Sequence, residues 1–135
     1  MKKGILISIV CTIAVIIGIV FICATTGDKV MTKEKGVYIV NTTTLTQDVI
    51  GYNGTTPLKI YIKDDKIQKI EALPNEETPS FFERVKINML NKWNGMSVAK
   101  AATAEIDAVS GATYSSNAVK ANVKAGIQYY QKHKK

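Results

Sequence analysis

The chain has 135 residues, a mass of 14.8 kDa and a formal net charge of +7 at pH 7. Without its apolar N-terminal run, about 110 residues remain, which is one domain and too little volume for a large enclosed substrate chamber. Both cysteines, Cys11 and Cys23, fall in that run, which excludes a disulfide framework, a Cys-ligated iron–sulfur cluster and a c-type haem site from the rest.

Lys2 and Lys3 precede the uncharged stretch Ile5 to Ala24. As a helix, its roughly 20 residues span the hydrocarbon thickness of a bilayer. Basic residues before such a run keep the N-terminus cytoplasmic and send the following chain across. Residues 1–24 are therefore expected to be a single-pass anchor in the cell membrane, with the domain extracytoplasmic and the lipid bilayer as a partner. A cleaved signal segment is the competing reading, although its apolar core would be shorter. A lipoprotein signal does not fit, because Ile22 precedes Cys23 and Val10 precedes Cys11. A type IV pilin leader would need Glu where Ile9 stands.

Residues 25–36 are polar and mixed in charge, and read as a tether before a domain at 37–135. Val37 to Val40 predicts a short strand, and the Thr-rich run on to Ile50 a weaker one. Gly51-Tyr52-Asn53-Gly54 is a turn. Leu58, Ile60 and Ile62 alternate with Lys59, Tyr61 and Lys63, the period of a half-buried strand. Asp64 and Asp65 turn the chain into a partner strand from Lys66 to Leu73.

A helix follows, with Thr78 at its cap and Pro79 in the first position, where a missing N–H costs nothing. Phe82, Val85 and Met89 form its apolar stripe, Trp93 lies near its end, and Asn94-Gly95 stops it. Ser97 to Ala104 predicts a short Ala-rich helix and Ile106 to Val109 a brief extended segment. The last helix carries Val119, Val123, Ile127 and Tyr130 on one stripe. From Gln131 the tail is polar and basic, expected to fray, and it holds the single histidine, His133. The fold class is α+β: a small antiparallel sheet packed with helices, preceded by one N-terminal transmembrane helix.

The most informative stretch is Asp107 to Ser116, directly before that last helix. Ser115 or Ser116 can cap its start. Thr113 then lies in the turn ahead, where free N–H groups and the helix dipole favour an anion. Gly111 and Ala112 keep the approach to the hydroxyl free of bulk. Such a hydroxyl suits attachment of a phosphate-bearing group.

Asp107, Ser110, Gly111, Ala112 and Thr113 resemble the Asp-x-x-Ser/Thr-Gly-Ala-Thr/Ser signature of FMN-binding domains. These occur in subunits of the sodium-pumping quinone reductase, in its Rnf relatives and in small exported flavoproteins. The resemblance implies that a flavin transferase, using FAD and Mg²⁺, esterifies FMN onto Thr113, with Asp107 part of the recognition signature. Glu77, Thr78 and Pro79 resemble an element found beside the flavin in that family. The family's common continuation Gly-Leu-Gly is here Ser80-Phe81-Phe82, which removes the close backbone contact that the two glycines allow and leaves Phe81 to cover the ring instead. Ser110, Gly111, Ala112, Glu77 and Thr78 are thereby candidate cofactor-binding residues.

An exported flavin with no substrate chamber is most simply an electron carrier, and membrane-associated redox partners are expected. The sequence presents no acid–base pair or nucleophile constellation that would make a substrate-specific enzyme. A non-redox ligand-binding module of the same fold, or a small flavin-dependent reductase, are the other readings. The basic balance suits anionic headgroups or acidic partners; with no arginine-rich stripe or recognisable motif, no nucleic acid is expected.

Overall fold

Leu58, Ile60 and Ile62 have no exposed surface, and the strand they define organises the sheet. A computed structural model describes residues 30–134; the expected anchor or signal segment at 1–24 lies outside them. Among the described residues, no helix is long and apolar enough to cross a membrane. The strands are β1 (Met31–Glu34), β2 (Val37–Asn41), β3 (Leu58–Lys63) and β4 (Lys66–Ala72). They form one four-stranded sheet in the order β1-β2-β3-β4, with every neighbouring pair antiparallel.

Asp64 and Asp65 make the β3–β4 turn with φ of 53° and 58°, left-handed values that a short Asp side chain tolerates. In β4, Ile67 and Ile70 are both buried although an odd spacing should place them on opposite faces. The register shift beside Tyr61 and Ile62 resolves this: Lys69 opposes Tyr61, Ile67 opposes Ile62, and Gln68 is left over as a bulge.

Two expectations for this half are corrected. The supposed tether at 25–36 contains β1, whose Met31 to Glu34 pair with Val40 to Val37. As an edge strand, β1 leaves Lys33 and Glu34 exposed, so no alternation marks it. The Thr-rich run after Asn41 is a loop of turns, because its hydroxyls bond sideways. Thr42 Oγ1 accepts from Leu58 N at 2.9 Å and donates to Asn122 Oδ1 at 2.6 Å. Thr46 Oγ1 donates to the same oxygen at 2.5 Å. The Asn122 amide donates to Thr56 Oγ1 at 3.2 Å and to Ala118 O at 2.9 Å. One buried asparagine thus fills its bonding capacity and ties the loop to the last helix.

The helices are α1 (Pro79–Asn88), a 3₁₀ turn (Leu90–Trp93), α2 (Val98–Thr103) and α3 (Thr113–His133). The predicted stripes are buried: Phe82 and Val85 on α1, Met89 at the junction that breaks the expected single helix, Trp93 on the 3₁₀ turn, and Val119, Val123, Ile127 and Tyr130 on α3. Ser97 caps α2 by accepting from Lys100 N. α3 approaches the sheet closely at Gly126, where a Cβ would come within 2.5 Å of Ile60 Cδ1 and 3.1 Å of Thr42 Cγ2. The tail expected to fray from Gln131 is instead helical to His133. Tyr130 OH donates to Asp65 Oδ1 at 2.5 Å and Lys134 Nζ lies 3.1 Å from the same oxygen, fastening the helix end to the β3–β4 turn.

Candidate functional site

The signature stretch ends in a tight turn that feeds α3. Ala112 N donates to Val109 O at 2.9 Å, and Gly111 adopts φ 81°, which a side chain would strain. Ser116 N makes the opening bond of the helix, to Ala112 O at 2.9 Å. Thr113 is therefore the first helical residue, one step further along than the expected turn position. Ala112 occupies the cap position and offers no side-chain bond. The amides of Thr113, Tyr114 and Ser115 belong to the first turn and have no carbonyl one turn back within the helix to bond, and Thr113 itself is exposed.

Neither Ser115 nor Ser116 is the cap; both are buried within the first turn. Ser116 Oγ accepts from Val109 N at 3.0 Å, holding the approach strand against the helix. Ser115 Oγ donates to Glu77 Oε1 at 2.7 Å, a link across 38 residues of chain.

Glu77 is a junction. Only 5% exposed, it accepts from Tyr52 N at 2.8 Å and from Asn53 N at 2.6 Å as well as from Ser115. Three donors from two distant segments thus converge on one side chain. The same contact explains Gly51, where a Cβ would lie 2.0 Å from Glu77 Oε1. Thr78, in extended backbone ahead of α1, makes no capping bond; its hydroxyl accepts from Asn53 Nδ2 at 3.1 Å. Glu77 and Thr78 together lock the 51–54 turn against the start of α3.

Between these pieces opens a cleft of about 320 Å³ lined by Tyr52, Thr78, Phe81 and the run from Gly111 to Ser115. Its aromatic side chains are unusually bare: Tyr52 is 67% exposed, Tyr114 69% and Phe81 44%. The two tyrosine rings lie 6.3 Å apart at a tilt of 44°. Large aromatic surface left in water beside a formed cleft marks a binding site.

The expected site residues divide by position. Thr78, Gly111, Ala112 and Thr113 line the cleft. Glu77 is buried behind its wall. The Ser110 side chain is exposed, while its carbonyl accepts a short bond from Arg84 Nη2. Asp107 does not line the cleft but a second depression, with Asn88, Lys92, Glu105 and Ser110. Tyr52, Tyr114, Gly51 and Arg84 were not singled out from sequence; the Gly51 turn was the one available signal.

A small α+β domain with an aromatic cleft beside a hydroxyl and a helix N-terminus suits the binding of a planar group that carries an anion. The family model for the FMN-binding domain matches residues 51–128, more than half of the chain, and the chain belongs to that family. The matched span includes every residue that lines the cleft. The protein is thus a flavin-binding protein with FMN as its cofactor. No curated protein and no solved structure matches it significantly.

Proposed function

We propose that this chain is a membrane-anchored, extracytoplasmic flavoprotein that holds FMN through a phosphoester on Thr113 and relays electrons. The observation that carries the reading is Thr113 itself. Its exposed hydroxyl opens α3 at the wall of an aromatic cleft, inside the signature Asp107 to Thr113. The residues present fit the group. Open amides of the first turn suit a phosphodiester, and Tyr52, Phe81 and Tyr114 offer faces for an isoalloxazine ring.

Bound FMN supplies one- and two-electron redox chemistry. The protein's own part is positional. Glu77 fixes the turn carrying Tyr52, Ser115 and Ser116 fix the start of α3, and Gly111 bends the chain so that Thr113 faces outward. Asp107 and Ser110 are exposed, which suits recognition of the signature by a flavin transferase. Covalent attachment suits an exported domain, since a dissociated cofactor would be lost by dilution. The segment 1–24 serves to keep the flavin near membrane-associated redox partners.

The test is expression of the full chain with and without a flavin transferase. With it, the protein should be yellow and keep its flavin in denaturant. Flavin that washes out under denaturing conditions contradicts the covalent linkage. Protease added to intact spheroplasts should remove the domain, and full protection contradicts the topology.

A further inference from the structure

Arg84 is the only arginine in the sequence, and the structure puts it at the attachment turn. It lies in α1 one turn after Phe81, which lines the cleft, so the two share a helix face. Its Nη2 donates to Ser110 O, inside the signature. Its guanidinium also borders Gly111, where a Cβ would meet Nη2 at 3.4 Å and Nη1 at 3.5 Å. Glu83 beside it is paired with Lys86 at 3.3 Å. Among the described residues, Arg84 has no carboxylate partner of its own.

We infer that Arg84 is a positioning residue for flavin attachment, a proposal that rests on the reading above. One arm latches the Ser110 carbonyl and holds the turn. The remaining donors put a positive charge beside the place where the phosphoryl group arrives. In the transfer the Thr113 Oγ–P bond forms and the pyrophosphate P–O bond of FAD breaks. AMP leaves and the hydroxyl proton passes to the transferase. A cation near the turn favours approach of the anionic donor and the charge shifted onto its phosphoryl oxygens.

The experiment uses the purified full-length chain, made without transferase, then mixed with a flavin transferase, FAD and Mg²⁺. Intact mass follows the rate of labelling for wild type, R84Q, R84K and Thr113→Ala. Because Arg84 is exposed, R84Q should be slower by about tenfold, not the larger loss of a water-excluded donor. R84K retains the charge and should stay within about threefold of wild type. The gap between wild type and R84Q should narrow as salt rises, which a purely structural role would not produce. R84Q labelling at the wild-type rate overturns the proposal, as does equal slowing of R84Q and R84K with no salt dependence. In both of those cases wild type is still labelled on Thr113, so the FMN reading stands. Unlabelled wild type overturns both.

Discussion

Replacing Glu77 by alanine should loosen the cleft from behind without removing any side chain that lines it. Three donors lose their acceptor: the Tyr52 and Asn53 amides and the Ser115 hydroxyl. A hydrogen bond to a charged acceptor contributes about 1.5–3 kcal/mol net when its donor is left buried. Ser115 is only 3% exposed and cannot recover by reaching solvent. The two amides belong to a surface turn and regain most of their loss from water. Removing a buried carboxylate also relieves its desolvation cost. The sum is a destabilisation of about 3 kcal/mol, a drop of about 12–24 °C in Tm for a domain of this size. Glu77→Gln keeps the volume and one acceptor but turns an NH₂ toward an N–H, so its loss should be smaller, about 1–2 kcal/mol. Thermal melts of the full chain followed by near-ultraviolet circular dichroism measure both. A Glu77→Ala variant melting within about 3 °C of wild type would refute the junction.

Two further outcomes follow from the packing and the charge. Gly126→Ala gains helix propensity but drives a Cβ to 2.5 Å from buried Ile60 Cδ1, so a net loss of about 1–2 kcal/mol is expected in urea denaturation, with the m-value unchanged; a more stable variant would contradict the close contact. The Asp65 carboxyl is held below its ordinary 3.8, first by the Tyr130 hydroxyl and then by Lys134. A depressed carboxylate contributes above its unfolded pKa and ceases to as pH falls through the folded one, so wild type should exceed Asp65→Asn by a constant margin across roughly pH 5 to 9 and lose it only in acid. Burial, then the bond to Asp65, raises the Tyr130 pKa above 10.0, so its own contribution holds below that value and fades only in strong alkali. A margin that grows in acid would reverse the assignment.

What the sequence made legible was local. The alternation of Leu58, Ile60 and Ile62 and the stripes of α1 and α3 state their burial directly, and all are buried. β1 was hidden because a polar edge strand gains its structure from its partner's backbone. The Thr42 loop was misread as strand because β-propensity cannot register a hydroxyl whose acceptor, Asn122, is 80 residues away. The helix start erred for the same reason. Thr113, Ser115 and Ser116 are all plausible starting residues locally, and it is Glu77 and Val109 that recruit the two serines inward. The left-handed backbone of Gly111 and the place of Thr113 at the start of α3 in the cleft wall were legible because both depend on immediate neighbours. Tyr52 and Arg84 were not, since only the folded chain brings them to the same turn.

The proposed function stands or falls on attachment of the flavin to Thr113. Its most direct measurement is peptide mapping by mass spectrometry of the full chain co-expressed with a flavin transferase, beside Thr113→Ala. The expected result is FMN less one water on the wild-type peptide containing Thr113, and an unlabelled, folded variant. Flavin on Thr103 or Ser115, or undiminished labelling of Thr113→Ala, would contradict it.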